Sequence, residues 1–252
     1  TLRKGPKEGI LNLLLGGALA SLFIFQLSGN LFAAIVSVLF GLFPAWLFAV
    51  ILRETVSLSI TIEIAAYLGL IVVVIFHYFS NLENNIVEQF KSALQQATHT
   101  MENAPALPEL ADLPILGLFL SGLLMTQLIS LFFARYWQAA LFNPGGFKRE
   151  FHQLRMSPRF AWIVVGLVVI SILPMANLGI FNQLLVVGLA VFFLVGLSLL
   201  HYLVGVRQLN TSWLVGAYVL MVVLPHLILL VAVFGLADSW FNFRRLWQAP
   251  QA

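Results

Sequence analysis

The stretch RYWQAALFNPGGFKREFHQLRMSPR, Arg135–Arg159, lies between two long apolar runs and sets the frame for the rest of the chain. It holds Arg135, Lys148, Arg149, Arg155 and Arg159 against a single acid, Glu150. Those are five of the thirteen Lys and Arg residues in a chain only 9% charged. Basic residues close to span ends stay on the cytoplasmic side of a membrane, so this segment orients whatever flanks it. The flanks belong to a membrane protein. Apolar residues make up 61% of the 252 positions and the mean hydropathy is +0.98, whereas soluble domains are about half apolar and about a quarter charged. The expected fold class is all-α, a polytopic transmembrane helix bundle forming a single integral membrane domain.

About 20 apolar residues cross about 30 Å of hydrocarbon. Reading outward from the basic stretch, this length gives about seven spans, within a range of six to eight. They cover about 10–26, 31–52, 55–79, 113–134, 160–174, 181–204 and 213–236. Pro44 is expected to kink the second. The chain begins at Thr1, which places the initiator methionine upstream, and no cleavable signal peptide is expected because the first apolar run outlasts one. With the N-terminus inside, ten basic residues fall inside, and Lys91, Arg244 and Arg245 fall outside. The last two sit on the disfavoured side of a seven-span layout, and a re-entrant final segment would remove the conflict. The outer loop 80–112 is acidic. Within it Ile86, Phe90, Leu94, Ala97 and Met101 recur at helical spacing, which predicts an amphipathic helix on the outer interface or capping the bundle.

Ionisable groups at membrane depth are candidates for function because burying a charge there is costly. Glu63 is placed about 12 Å into the third span at about 1.5 Å per residue. It is either a hydrogen-bonded structural carboxyl or part of a substrate site. His226 follows Pro225, whose freed carbonyl can also bind a ligand. With Asn182 these residues form a candidate solute-binding set. Gln127, Asn177 and Gln183 either line an outward cavity or cap helix ends. His77, His201 and His226 fall at different depths, so no metal site is expected, and the absence of cysteine removes thiolate chemistry. No enzyme motif is present, which points to a non-enzyme without cofactor. Nucleic acid is not an expected partner, since the positive charge resides in loops.

Gly16 and Ala20, with Gly17 and Ser21, make small-xxx-small faces on the first span, and Gly188, Gly196 and Ser198 do so on the sixth. Such faces pack within a bundle or dock a separate membrane subunit. In the basic stretch, Asn143-Pro144-Gly145-Gly146 predicts a turn. Phe147, Phe151 and Leu154 alternate with Lys148, Arg149 and Arg155, which predicts a helix over 147–156 with its apolar face on the headgroups. Lys148, Arg149 and Arg155 would then meet anionic lipid headgroups of the bilayer or a cytoplasmic protein partner.

Three features of this stretch and the tail carry a resemblance: Arg135-Tyr136-Trp137-Gln138, the turn ending in Phe147, and Glu150-Phe151-His152-x-Leu154-Arg155. Asp238 followed by Phe243-Arg244-Arg245 fits it as well. The chain resembles the YybS-like family of uncharacterised bacterial inner-membrane proteins, itself distantly similar to the S components of energy-coupling-factor transporters and to MreD. The resemblance implies a compact bundle of about six core helices and supplies no catalytic residue. For an S component it also implies a first-span face that docks a coupling subunit. Two functions stay open: a small-solute binding or transport component, and a membrane scaffold or assembly factor.

Overall fold

A computed structural model describes residues 1–2, 4–99, 113–173 and 179–247. The described residues form eleven helices and no strand. They are α1 Pro6–Ser28, α2 Leu31–Thr55, α3 Leu58–Tyr78, α4 Ser80–His99, α5 Ile115–Phe142, α6 Gly146–His152, α7 Pro158–Ile172, α8 Gly179–Val206, α9 Ser212–Val223, α10 His226–Phe241 and α11 Phe243–Trp247. Five of them, α1, α2, α3, α5 and α8, are long and apolar enough to cross a membrane. α7 has 15 residues, a rise of about 22 Å at about 1.5 Å per residue, so it falls short of a full crossing by itself. Pro174 and Asn177 lie outside the described residues.

α8 is the hub, packed against α3, α5, α7 and α10. Lipid tails are as apolar as the side chains, so helices associate here through close packing rather than water exclusion, and small residues permit the closest approach. A Cβ at Gly188 would stand 2.7 Å from Val164 Cγ2, one at Gly196 2.0 Å from the Val231 carbonyl oxygen, and one at Gly235 2.1 Å from the Phe192 carbonyl oxygen. The small residues of α8 are thus spent inside the bundle. Gly17 does the same on α1, close to Val38, while Gly16 beside it faces open space. α1 packs chiefly on α2 and is otherwise exposed along its length.

The final apolar stretch is not one span. Its helical ladder stops at Leu224 (φ −122°, ψ 81°), the residue before Pro225, where the proline ring disfavours helical backbone. Tyr218, six residues into α9, meets His201 near the end of α8 (Oη to Nε2 2.9 Å), so α9 runs antiparallel to α8. α10 then runs parallel to α8. The two helices touch at Gly196 and Gly235, and beyond that contact Arg244 joins Asp238 of α10 to Ser198 of α8. The hairpin α9–α10 therefore leaves the end of the bundle that holds the basic stretch and returns to it. This corrects the seventh span at 213–236 and removes the conflict over Arg244 and Arg245, which lie at the basic end.

The other boundaries shift modestly. α5 continues to Phe142, so the first third of the basic stretch is helix and the connecting loop is shorter than 135–159. The amphipathic segment of the outer loop is the helix α4, which touches α3 and α5. Ile86 packs against the core while Phe90 is exposed. Its expected continuation through Leu94, Ala97 and Met101 lies outside the described side chains. Pro44 leaves α2 continuous.

Candidate functional site at the basic end

The turn at Asn143-Pro144-Gly145-Gly146 closes through Gly146 N–H donating to the Asn143 carbonyl (2.8 Å). Gly145 sits at φ 77°, ψ −3°, the left-handed third position of a type II turn that glycine fills without strain. The chain then enters the short α6. Glu150 on α6 faces Arg135 at the end of α5 in a two-pronged pair, with Arg135 Nε donating at 2.8 Å and Nη2 to the other oxygen. The one acid of the basic stretch is thus used to clamp α6 to α5. Phe147 and Phe151 pack on Phe132, and Leu154 is fully buried. The apolar face of this segment accordingly turns into the bundle, not onto headgroups, and the helix ends at His152 rather than near residue 156. The attraction of three large apolar side chains for a protein groove next to them outweighs the interfacial placement expected from amphipathicity alone.

Beyond α6 lies a buried ionic knot. Asp238 is fully buried and Arg244 nearly so. Asn242 adopts φ 48°, ψ 62°, a conformation asparagine tolerates, and this reversal folds α11 back over the end of α10. Arg244 then donates through Nη1 to Asp238 Oδ2, through Nε to the His152 carbonyl (2.6 Å), and through Nη2 to the Leu154 carbonyl (2.6 Å) and to Ser198 Oγ. Asp238 Oδ1 accepts from Phe243 N–H at 2.9 Å. Arg155 donates to the carbonyls of Asp238 and Ser239, each at 3.0 Å. These carbonyls are at the C-terminus of α10, where unpaired acceptors and the helix dipole favour a cation. Tyr202 donates its hydroxyl to the Arg244 carbonyl at 3.1 Å. The knot ties together α6, α8, α10 and α11. Its two guanidiniums share one carboxylate, and the surplus positive charge is met by backbone carbonyls.

The sequence-derived candidates are distributed as follows. Of the basic trio, Lys148 and Arg149 are exposed and Arg155 is committed to α10, so Arg155 is corrected from a surface contact to an internal one. Arg149 also donates to Asn143 Oδ1 at 3.2 Å. Lys148 borders a recess of about 470 Å³ with Phe132, Tyr136, Phe147, Phe151 and the His201–Tyr218 pair. Glu63 stands five residues into α3 and accepts from Ser157 N–H (3.0 Å) and from the Ser157 hydroxyl. Ser157 is the N-cap of α7, so the Glu63 carboxylate sits at the positive end of a helix, a favourable place for it. Asn182 belongs to the opposite end of the bundle. It precedes Ser198 by sixteen positions on α8, about 24 Å at about 1.5 Å per residue, while Ser198 is hydrogen-bonded to Leu154 close to Ser157. His226 is exposed at the start of α10, twelve residues from Asp238. Glu63 is therefore not brought together with Asn182 or His226. Gln183 accepts from Gly117 N–H in the first turn of α5, which resolves its role as a helix cap. Asp238, which figures in the sequence only as part of the resemblance, is not read there as the partner of Arg244, six positions later.

His152, outside the spans, is held below the usual histidine range by burial first, then by the positive charge of Lys148, by His201 when that ring is protonated, and by Arg244. A histidine lowered in the folded state favours its neutral form there. Its contribution is present above the unfolded value of about 6.5 and is lost as pH falls through that value toward the folded one. Thermal unfolding midpoints in mild detergent should fall between about pH 7 and about pH 5, and His152→Gln should flatten that fall. An unchanged slope would separate His152 from the acid response.

These features define a multi-pass helical membrane protein whose basic end is fastened by one internal ion-pair cluster. A family model described as predicted membrane protein (DUF2232) matches residues 1–239, and the chain belongs to that family. No curated protein and no solved structure matches it.

Proposed function

We propose that the protein is a non-enzymatic scaffold of the bacterial inner membrane that binds a membrane partner along α1, with the start of α1 and the helix α11 on the cytoplasmic side. The observation that carries this reading is α1 itself. It packs chiefly on α2, and Gly16 presents backbone to open space one turn from the half-buried Ala20. A face of this kind lets a second helix approach closely in lipid. Charge supports the orientation: with Arg244 and Arg245 at the basic end, eleven of the twelve described Lys and Arg residues lie on one side of the layout and Lys91 alone on the other. Lys148 and Arg149 then face the cytoplasm, placed for anionic headgroups or for a soluble region of the partner. The separation of Glu63 from Asn182 and His226 argues against a polar solute cavity built from all three. Kinship with S components would give α1 a natural use, since those proteins dock a coupling subunit in the membrane.

Gly16→Leu with Ala20→Leu tests the reading. Nothing lies within 4 Å of a Cβ at Gly16, so that change should leave the unfolding midpoint close to wild type. Native mass spectrometry of mild-detergent extracts should show a second polypeptide in fixed ratio with wild type and its loss from the variant. A bare wild-type chain, or a partner retained by the variant, would sink the proposal.

A further inference from the structure

An apolar cleft of about 320 Å³ opens between α2, α3 and α5. Its mouth is flanked by the exposed side chains of Leu39, Phe40 and Phe43, so it faces the surrounding lipid. Gln127 of α5 lines it, only 7% exposed, and makes no side-chain hydrogen bond with any described residue. It lies twelve positions after Ile115, about 18 Å along the helix, at a depth where water is scarce. Its amide opens onto the cleft rather than being sealed in protein, since the sealed side-chain atoms without a partner among the described residues are Ser239 Oγ and Trp240 Nε1. A polar group left on a water-poor apolar surface is unfavourable without a partner. A second polar group without its usual partner belongs to a residue of the cleft wall. Pro44 has no N–H, so the Phe40 carbonyl four residues earlier loses its intrahelical donor, and both residues line the cleft. No charged residue does.

We propose that this cleft binds a neutral, ring-bearing membrane lipid through a ring hydroxyl, with its apolar tail leaving through the mouth. The hydroxyl accepts from the Gln127 amide and donates to the Phe40 carbonyl, so each polar group gains the partner the protein withholds. Phe40, Phe43 and Phe48 supply ring contacts, which favour an aromatic body over a bare acyl chain. The absence of a lining charge excludes anionic headgroups, and the volume is at the small end for ligand sites, too small for a protein helix.

The test uses the full chain in lipid nanodiscs and a phenol bearing one prenyl tail, with prenylbenzene as the control that lacks the hydroxyl. Calorimetric titration should show saturable binding of the phenol and at least about tenfold weaker binding of prenylbenzene, as expected when a buried hydrogen bond is lost. Gln127→Leu should weaken the phenol by a similar factor and leave prenylbenzene unchanged. Should that variant fold poorly, Leu39→Trp at the exposed mouth should block both compounds without touching the core. Equal affinities for the two compounds, or phenol binding unaffected by either variant, would show a cleft filled only by acyl chains and overturn the proposal.

Discussion

Asp238→Asn should destabilise the protein by about 3–5 kcal/mol, the range for breaking a buried pair by removing one charge. The substitution keeps the side-chain shape, so packing is nearly unchanged and the effect isolates charge. Asp238 is fully buried, and Arg244 reaches it while also donating to the carbonyls of His152 and Leu154. Without the carboxylate, Arg244 and Arg155 remain two buried or half-buried cations with only neutral acceptors. The burial that already lowers the affinity of Arg244 for its proton then acts without its main counterweight. Arg244→Met alone leaves a fully buried carboxylate and should cost a comparable amount. The double variant Asp238→Asn, Arg244→Met should recover much of the loss, since replacing both partners of a buried pair is often close to neutral. Unfolding midpoints in mild detergent, compared across this double-mutant cycle, measure the coupling. A single Asp238→Asn variant as stable as wild type would mean the cluster does not hold the end of the bundle.

The same cluster marks the limit of what the sequence discloses. Helices α1, α2, α3, α5 and α8 follow from runs of apolar residues long enough to cross a membrane, and their reading rests on composition that no tertiary contact can overrule. The α9–α10 break is different. Hydropathy is continuous from Trp213 to Leu236, and the only local sign is Pro225. Pro44 gives the same sign inside α2, yet α2 absorbs it and continues. A proline therefore permits a break without deciding it. At Pro225 the decision comes from distant residues, because Arg244 must reach Asp238, Ser198 and the carbonyls after α6, all at the basic end. Charge asymmetry hinted at this through the misplaced Arg244 and Arg245. Glu63 shows a different limit, since its two readings, a hydrogen-bonded structural carboxyl and part of a substrate site, look alike in sequence. Its depth made it a candidate for binding, but its partner, Ser157, is remote in sequence and gives no periodic signal. Likewise the face of α6 was legible as amphipathic, whereas the direction in which it turned depended on an aromatic groove built by α5.

Gly235→Leu should abolish the native contact of α8 and α10, and even Gly235→Ala should cost about 1–3 kcal/mol, the usual penalty for overpacking. The reason is that the obstructing atoms are backbone. A Cβ at Gly235 would lie 2.1 Å from the Phe192 carbonyl oxygen and 2.7 Å from the Gly196 nitrogen, and neither can rotate away. The helices must separate by more than the gap a side-chain rearrangement could provide. Gly216→Ala and Gly166→Ala, where nothing lies within 4 Å, should instead raise stability by about 0.5–1 kcal/mol through reduced backbone freedom in the unfolded chain. Opposite signs for the same chemical change would show that contact, rather than helix propensity, governs Gly235. The separation also has a consequence one turn further on. Asp238 rides on α10 and Ser198 on α8, so spreading the helices pulls the acceptors of Arg244 apart. Gly235→Ala and Asp238→Asn should therefore combine to less than the sum of their separate losses, since each weakens the structure the other depends on. Strict additivity would mean that the glycine contact and the ionic knot are independent fastenings of the hairpin.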